Sequence, residues 1–231
     1  MSDTATRLHH AALLKPSSAR RAAPACLRSA NGQRAMSDTG SDGRAAAEQM
    51  KDLAQCEQMK GKALEQCPVI AFMFEKLGEL GCRVPDRVAF VSCQPCDDKL
   101  TGGFNTEDNH IVLCQNLPKP MRQQQVVDHT LVHELVHAYD QCRAHVQWGN
   151  CEHHACSEIR AAGLSGECDW KQEFNRGNIN LAGQHQKCVR RRAELSLMMN
   201  PSCCEGKRAE EAVDAVFERC YADTAPFEKR M

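Results

Sequence analysis

The sequence predicts an α+β fold. Helical periodicity dominates the residues before 81 and after 121. The stretch between them alternates apolar and polar positions and is rich in β-branched residues. Strands and helices never follow one another in the βαβ order of a parallel sheet. The first element is an Ala-, Gln- and Lys-rich helix from Arg44 to Gln66. A second runs from Pro68 to Leu80, with proline in its first turn and Gly81 as its stop. Its stripe of Ile70, Phe72, Met73, Phe74, Leu77 and Leu80 reads as core. Arg87–Ser92, Leu100–Phe104 and His110–Cys114 read as strands, with turn residues at Cys93–Asp98 and a polar link at Asn105–Asn109. Pro118 and Pro120 close the strand region. Met121–Arg143 is the clearest helix, with Val127, Leu131, Leu135 and Ala138 at helical spacing. Cys151–Gly163, Gln184–Met199 and Glu205–Tyr221 follow as helices, and Gly166–Gly183 reads as loop.

The 231 residues suit one compact domain plus a tail, and 26% charged with 42% apolar residues is ordinary for a globular chain. A formal net charge of −1 supplies no field to recruit nucleic acid. The longest apolar runs, such as Val69–Phe74, are about six residues, against the roughly 20 that a bilayer span needs. Residues 1–43 stand apart. Through Ala35 they carry Arg7, Lys15, Arg20, Arg21, Arg28 and Arg34 against the single acid Asp3, and they lack a long apolar core. That composition excludes a secretory signal and fits either an organelle transit peptide or a solvated disordered tail. Met36-Ser37-Asp38-Thr39 echoes Met1-Ser2-Asp3-Thr4, which makes Met36 a candidate second start.

Fifteen cysteines are far more than a reducing compartment favours. Only Cys93 and Cys96 have CxxC spacing, with no second pair to complete a zinc ribbon. The scatter of the others favours long-range disulfides over thiolate clusters, and the odd total leaves at least one thiol without an internal partner.

The best helix contains His133-Glu134-Leu135-Val136-His137, an H-E-x-x-H motif. Residues four apart share one helical face, so two imidazoles can meet one metal ion, with Glu134 placed to act on its bound water. The bland alternative is two helix histidines beside a surface glutamate. A catalytic zinc needs a third protein ligand and an open position. The extended form of the motif fails, because Asp140 replaces its glycine and Arg143 its third histidine. A glutamate on the following helix is the other common solution. Glu158 is the first choice, followed by His154 one turn earlier, then His145, His153 and Asp140. Ala162 stands where a supporting Asp usually follows such a glutamate. His110–Cys114 is the candidate edge strand to pair with an extended substrate, or else an ordinary core strand. Arg190, Arg191 and Arg192 read as a solvated helix face or a lipid head-group patch.

Gly102-Gly103-Phe104, Ile111–Asn116, His133–Val146, Ala155–Ala162 and Leu164-Ser165-Gly166 resemble the mitochondrial inner-membrane metalloprotease family that processes and helps assemble ATP synthase, also known as the Ku-binding protein family. Cys188-Val189-Arg190 and Val213–Glu218 fit as well, so the resemblance spans about residues 50–228. It implies a zincin-like, disulfide-braced fold with a small antiparallel or mixed sheet packed on the HExxH helix. It implies a place in the intermembrane space, peripherally on the inner membrane, and the chain as a whole reads as a peptidase domain over 44–231 behind the tail. His133 and His137 would hold one catalytic Zn2+, with Glu134 as the catalytic residue. The implied substrate or client is the membrane-embedded proton-channel subunit of ATP synthase, through removal of its presequence. Two rivals stand beside this expectation: an assembly chaperone that needs no cleavage, and a disulfide-braced adaptor with no chemistry.

Overall fold

The computed structural model describes residues 42–84, 86–96, 100–118, 122–177 and 183–230. The basic segment expected at 1–43, with Met36, lies outside the described residues, except for 42 and 43, which open the first helix. The order is α1 (Asp42–Gln66), α2 (Pro68–Glu79), β1 (Val91–Gln94), β2 (Gly102–Asn105), β3 (His110–Cys114), α3 (Gln124–Ala144), α4 (Cys151–Leu164), α5 (Trp170–Asn175), α6 (Gln184–Leu197) and α7 (Arg208–Ala222). No helix among the described residues is long and apolar enough to cross a membrane.

Local chemistry sets the boundaries. Pro68 cannot donate to the preceding turn and forces Cys67 into an extended conformation, which separates α1 from α2. Gly81 ends α2 at φ 72°. The first strand starts later than its β-branched residues suggest. Asp86 Oδ1 accepts from the N–H of Val88 and Ala89, at 2.8 and 2.9 Å, and winds 87–90 into a turn. Cys93 and Gln94, expected as turn residues, belong to β1 instead. The expected loop at 166–183 contains the six-residue α5.

The sheet is mixed, in the order β1-β3-β2, with β1 parallel and β2 antiparallel to β3. Of the two expectations for His110–Cys114, an edge strand or an ordinary core strand, the structure shows the second: it is the centre of the sheet. Its four consecutive buried residues, Ile111 to Cys114, are those of a strand covered on both faces. The outer edge of β2 lies toward the motif helix. Cys114 N–H donates to the Thr101 carbonyl at 3.0 Å, and pairing directions alternate along an antiparallel ladder. Gly102 and Phe104 thus turn their backbone groups away from β3. Only glycine fits at 102, since a Cβ there would lie 2.7 Å from the Thr130 methyl and 2.8 Å from the Val112 carbonyl oxygen.

Two hydrophobic clusters flank a seam. One joins α1, α2, the sheet and α3 through residues such as Ile70, Met73, Phe104, Ile111, Leu131 and Leu135. The other joins α4, α6 and α7 through Ala155, Ile159, Val189, Val213 and Phe217. Helix α4 is the shared wall: Ala161 and Leu164 pack into the first cluster, Ile159 and Ala162 into the second. Disulfides brace each side. Cys56–Cys93, Cys82–Cys142 and Cys96–Cys114 lie in the first, and Cys151–Cys203, Cys156–Cys220 and Cys168–Cys188 in the second. Both cysteines of the CxxC spacing are consumed in disulfides, and Cys67 is the free cysteine among the described residues.

Candidate metal centre

Polar side chains gather where α3 meets α4. From Thr130 to Asp140 every residue of α3 is buried, so its histidines and acids point into protein on all sides. His133 and His137 lie one turn apart and meet edge to face, with ring centroids 4.8 Å from each other. Glu158 on α4 faces both: its Oε2 is 3.4 Å from His133 Nε2 and its Oε1 is 3.4 Å from His137 Nε2. Among the described residues, these three form the one group of His, Cys, Asp or Glu whose ligand atoms converge, all within 4.8 Å.

Both rings are held by their other nitrogen. His133 Nδ1 lies 3.0 Å from Glu167 Oε1, and a carboxylate can only accept, so Nδ1 carries the proton. His137 Nδ1 lies 2.8 Å from Ser157 Oγ, and that hydroxyl donates its own proton to Asp140 Oδ2 at 3.1 Å. His137 Nδ1 must therefore donate too. With Nδ1 so occupied, each ring turns its Nε2 toward Glu158, the atom through which a metal would be held. Asp140 is in turn fixed by Arg160 Nε, 3.0 Å from both carboxylate oxygens.

The remaining candidates play other parts. His154 is buried, but Asn200 donates to its Nδ1 at 3.0 Å, so its Nε2–H points to Glu158 Oε1 at 3.1 Å as a donor. Ser196 Oγ donates to the same oxygen at 2.7 Å. His145 is exposed at the left-handed end of α3. His153 is exposed and accepts the Gln147 N–H. Asp140 is committed to Arg160, Arg143 and Ser157. The basic run is not a free solvated face either. Arg190 pairs with Asp214, Arg191 with Glu173 at 2.9 Å, and Arg192 with Glu167 at 2.6 Å.

Glu134 lies under the outer edge of β2, where the Phe104 N–H donates to its carboxylate. Its Oε2 is buried and has no hydrogen-bond partner among the described residues. Burial first, then the charges of Glu158 and Glu167, push its carboxyl up to about 8, against the opposing pull of His133 and of the Phe104 N–H. Burial lowers His137, whereas at His133 the same burial is outweighed by Glu167 and Glu158. At Glu167 burial is outweighed by Arg192 and His133, which hold the carboxylate ionised. Two inward-facing imidazole nitrogens, one carboxylate and a buried, unsatisfied carboxylate oxygen beside them fit a divalent cation with a bound water. Sequence reasoning missed Glu167, Ser157, Arg160, Arg192, Ser196 and Asn200, which come from four separate elements and share no spacing with the motif.

The model of the Peptidase M76 family matches residues 54–228. The mitochondrial inner membrane protease atp23 of Schizosaccharomyces pombe is 41% identical over 180 residues, covering 78% of this chain and 94% of that one. The mitochondrial inner membrane protease ATP23 of Mycosarcoma maydis is 38% identical over 198 residues, covering 75% of this chain and 90% of its own. The Emericella nidulans protein of the same name is 41% identical over 180 residues, with 77% and 73% covered. No solved structure matches the chain.

Proposed function

Because the chain belongs to the peptidase M76 family, we propose that it is a zinc-dependent endopeptidase with a zincin-like fold. The observation that carries this reading is the convergence of His133, His137 and Glu158 on one buried point, with the unsatisfied Oε2 of Glu134 beside it. His133, His137 and Glu158 would hold the ion through Nε2, Nε2 and a carboxylate oxygen, a set of three that leaves a position for water. Zinc, when bound there, supplies a water of pKa about 7 and polarises the scissile carbonyl. Glu134 Oε2 is placed to take the proton of that water and would return it to the leaving amine. The outer edge of β2, at Gly102 and Phe104, replaces β3 as the strand that an extended peptide would join, because it is the edge beside Glu134.

The peptidase domain is 44–231. The place of action is the intermembrane space, peripherally on the inner membrane. The names of the relatives and the disulfide bracing support that placement. The substrate is the presequence of the membrane-embedded proton-channel subunit of ATP synthase, and no nucleic acid is needed. Cleavage of a peptide carrying such a presequence tests the reading. Wild type should cleave it and Glu134→Gln should not, and equal cleavage by both would overturn the role given to Glu134.

A further inference from the structure

Resting on the zinc reading above, we propose that Arg192 and Glu167 act as a positioning pair: Arg192 fixes the Glu167 carboxylate, and Glu167 fixes the His133 ring with its Nε2 turned into the site. The two oxygens of Glu167 are divided between these tasks. Oε1 accepts from His133 Nδ1 at 3.0 Å, and Oε2 meets Arg192 Nη2 at 2.6 Å. Glu167 lies between α4 and α5, where no helix of its own holds it, and its side chain is only 10% exposed. A carboxylate so placed needs an external anchor to stay on one rotamer and stay charged.

Helix α6 supplies that anchor in two ways and also holds a second ligand. Arg192 binds the carboxylate. The Cys168–Cys188 disulfide ties the residue next to Glu167 to α6. Ser196, one turn beyond Arg192 on the same face, donates to Glu158 Oε1 at 2.7 Å. Two of the three ligands on α3 and α4 are thus oriented from α6, which contributes no ligand itself. The neighbouring arginines differ. Arg190 reaches Asp214, whose side chain is 60% exposed, and Arg191 reaches Glu173, which also binds Arg176 and Gln184. Of the three, only Arg192 touches a group that touches a metal-binding ring.

The test is zinc affinity of the full chain, measured by competition with a chromophoric chelator, with circular dichroism and thermal unfolding as controls for folding. Arg192→Ala and Glu167→Gln should each weaken zinc binding about 10- to 100-fold. Arg192→Lys, which keeps a cation, should recover part of the loss, and Arg190→Ala should bind as wild type does. A folded Arg192→Ala and Glu167→Gln that both bind zinc as tightly as wild type would overturn the proposal. Should Arg192→Ala fail to fold, the isosteric Glu167→Gln decides. A wild-type chain that takes up no zinc would instead overturn the reading beneath it.

Discussion

Arg160 places its Nε 3.0 Å from both carboxylate oxygens of Asp140, and both side chains are buried. The same guanidinium reaches the carbonyls of Asp223 and Ala225, so it ties the segment after α7 to the motif helix. Asp140 in turn accepts the proton of Ser157 and so sets the tautomer of His137. Truncating one member of a buried pair leaves the other charge without compensation. Arg160→Ala should destabilise the protein by about 3–5 kcal/mol in urea unfolding. Asp140→Asn leaves Arg160 its second ion pair, to Asp223 at 2.7 Å, so it should cost less in stability and show chiefly as weaker zinc binding.

Gly102 is where backbone meets backbone. An added methyl would press on the Val112 carbonyl within the sheet and on Thr130 of α3. Gly102→Ala should cost about 1–3 kcal/mol by overpacking, read as a lower denaturation midpoint. Because β2 also carries the Phe104 N–H that meets Glu134, peptide cleavage should fall by more than the loss of folded protein explains.

Glu173 is buried among Arg176, Arg191 and Gln184. Burial works to raise its carboxyl, but these three partners win and hold it at about 2, against an ordinary 4.5. A carboxylate depressed on folding contributes stability above its unfolded pKa and loses it as pH falls through the folded one. The unfolding midpoint of wild type should therefore exceed that of Glu173→Gln by a constant amount above pH 4.5, and the gap should narrow as pH approaches 2. A gap that widens toward acid would contradict this.

The disulfides brace the two sides of the seam separately. Cys82–Cys142, with a sequence separation of 60, pins the end of α2 to α3, the helix that carries both histidines. Replacing both cysteines by serine should cost about 2–5 kcal/mol and loosen α3 before α4 and α7. Hydrogen exchange should show faster exchange in α3 with α7 still protected.

The motif residues were legible because their geometry is local: two histidines four apart on a helix share a face whatever surrounds them. Glu158 was legible for a weaker reason, as a carboxylate on the next helix, and packing brings it against both rings. His154 was a fair rival from spacing, and what separates the two is Asn200, far off in sequence, which turns the ring into a donor. The cysteine count signalled bridges, but their pairing depends on contacts that no spacing encodes. The central place of β3 was hidden because strands of four or five residues carry no record of their neighbours. The Arg190–Arg192 run looked solvated because the acids that pair with it lie on α5, on α7 and in the loop before α5.

Metal analysis of the purified full chain tests the central claim most directly. Wild type and Glu134→Gln should each carry one zinc ion per chain, while His133→Ala, His137→Ala and Glu158→Ala should lose it and still show intact disulfides. Zinc retained in all three alanine variants, or absent from wild type with every other feature of the fold in place, would contradict it.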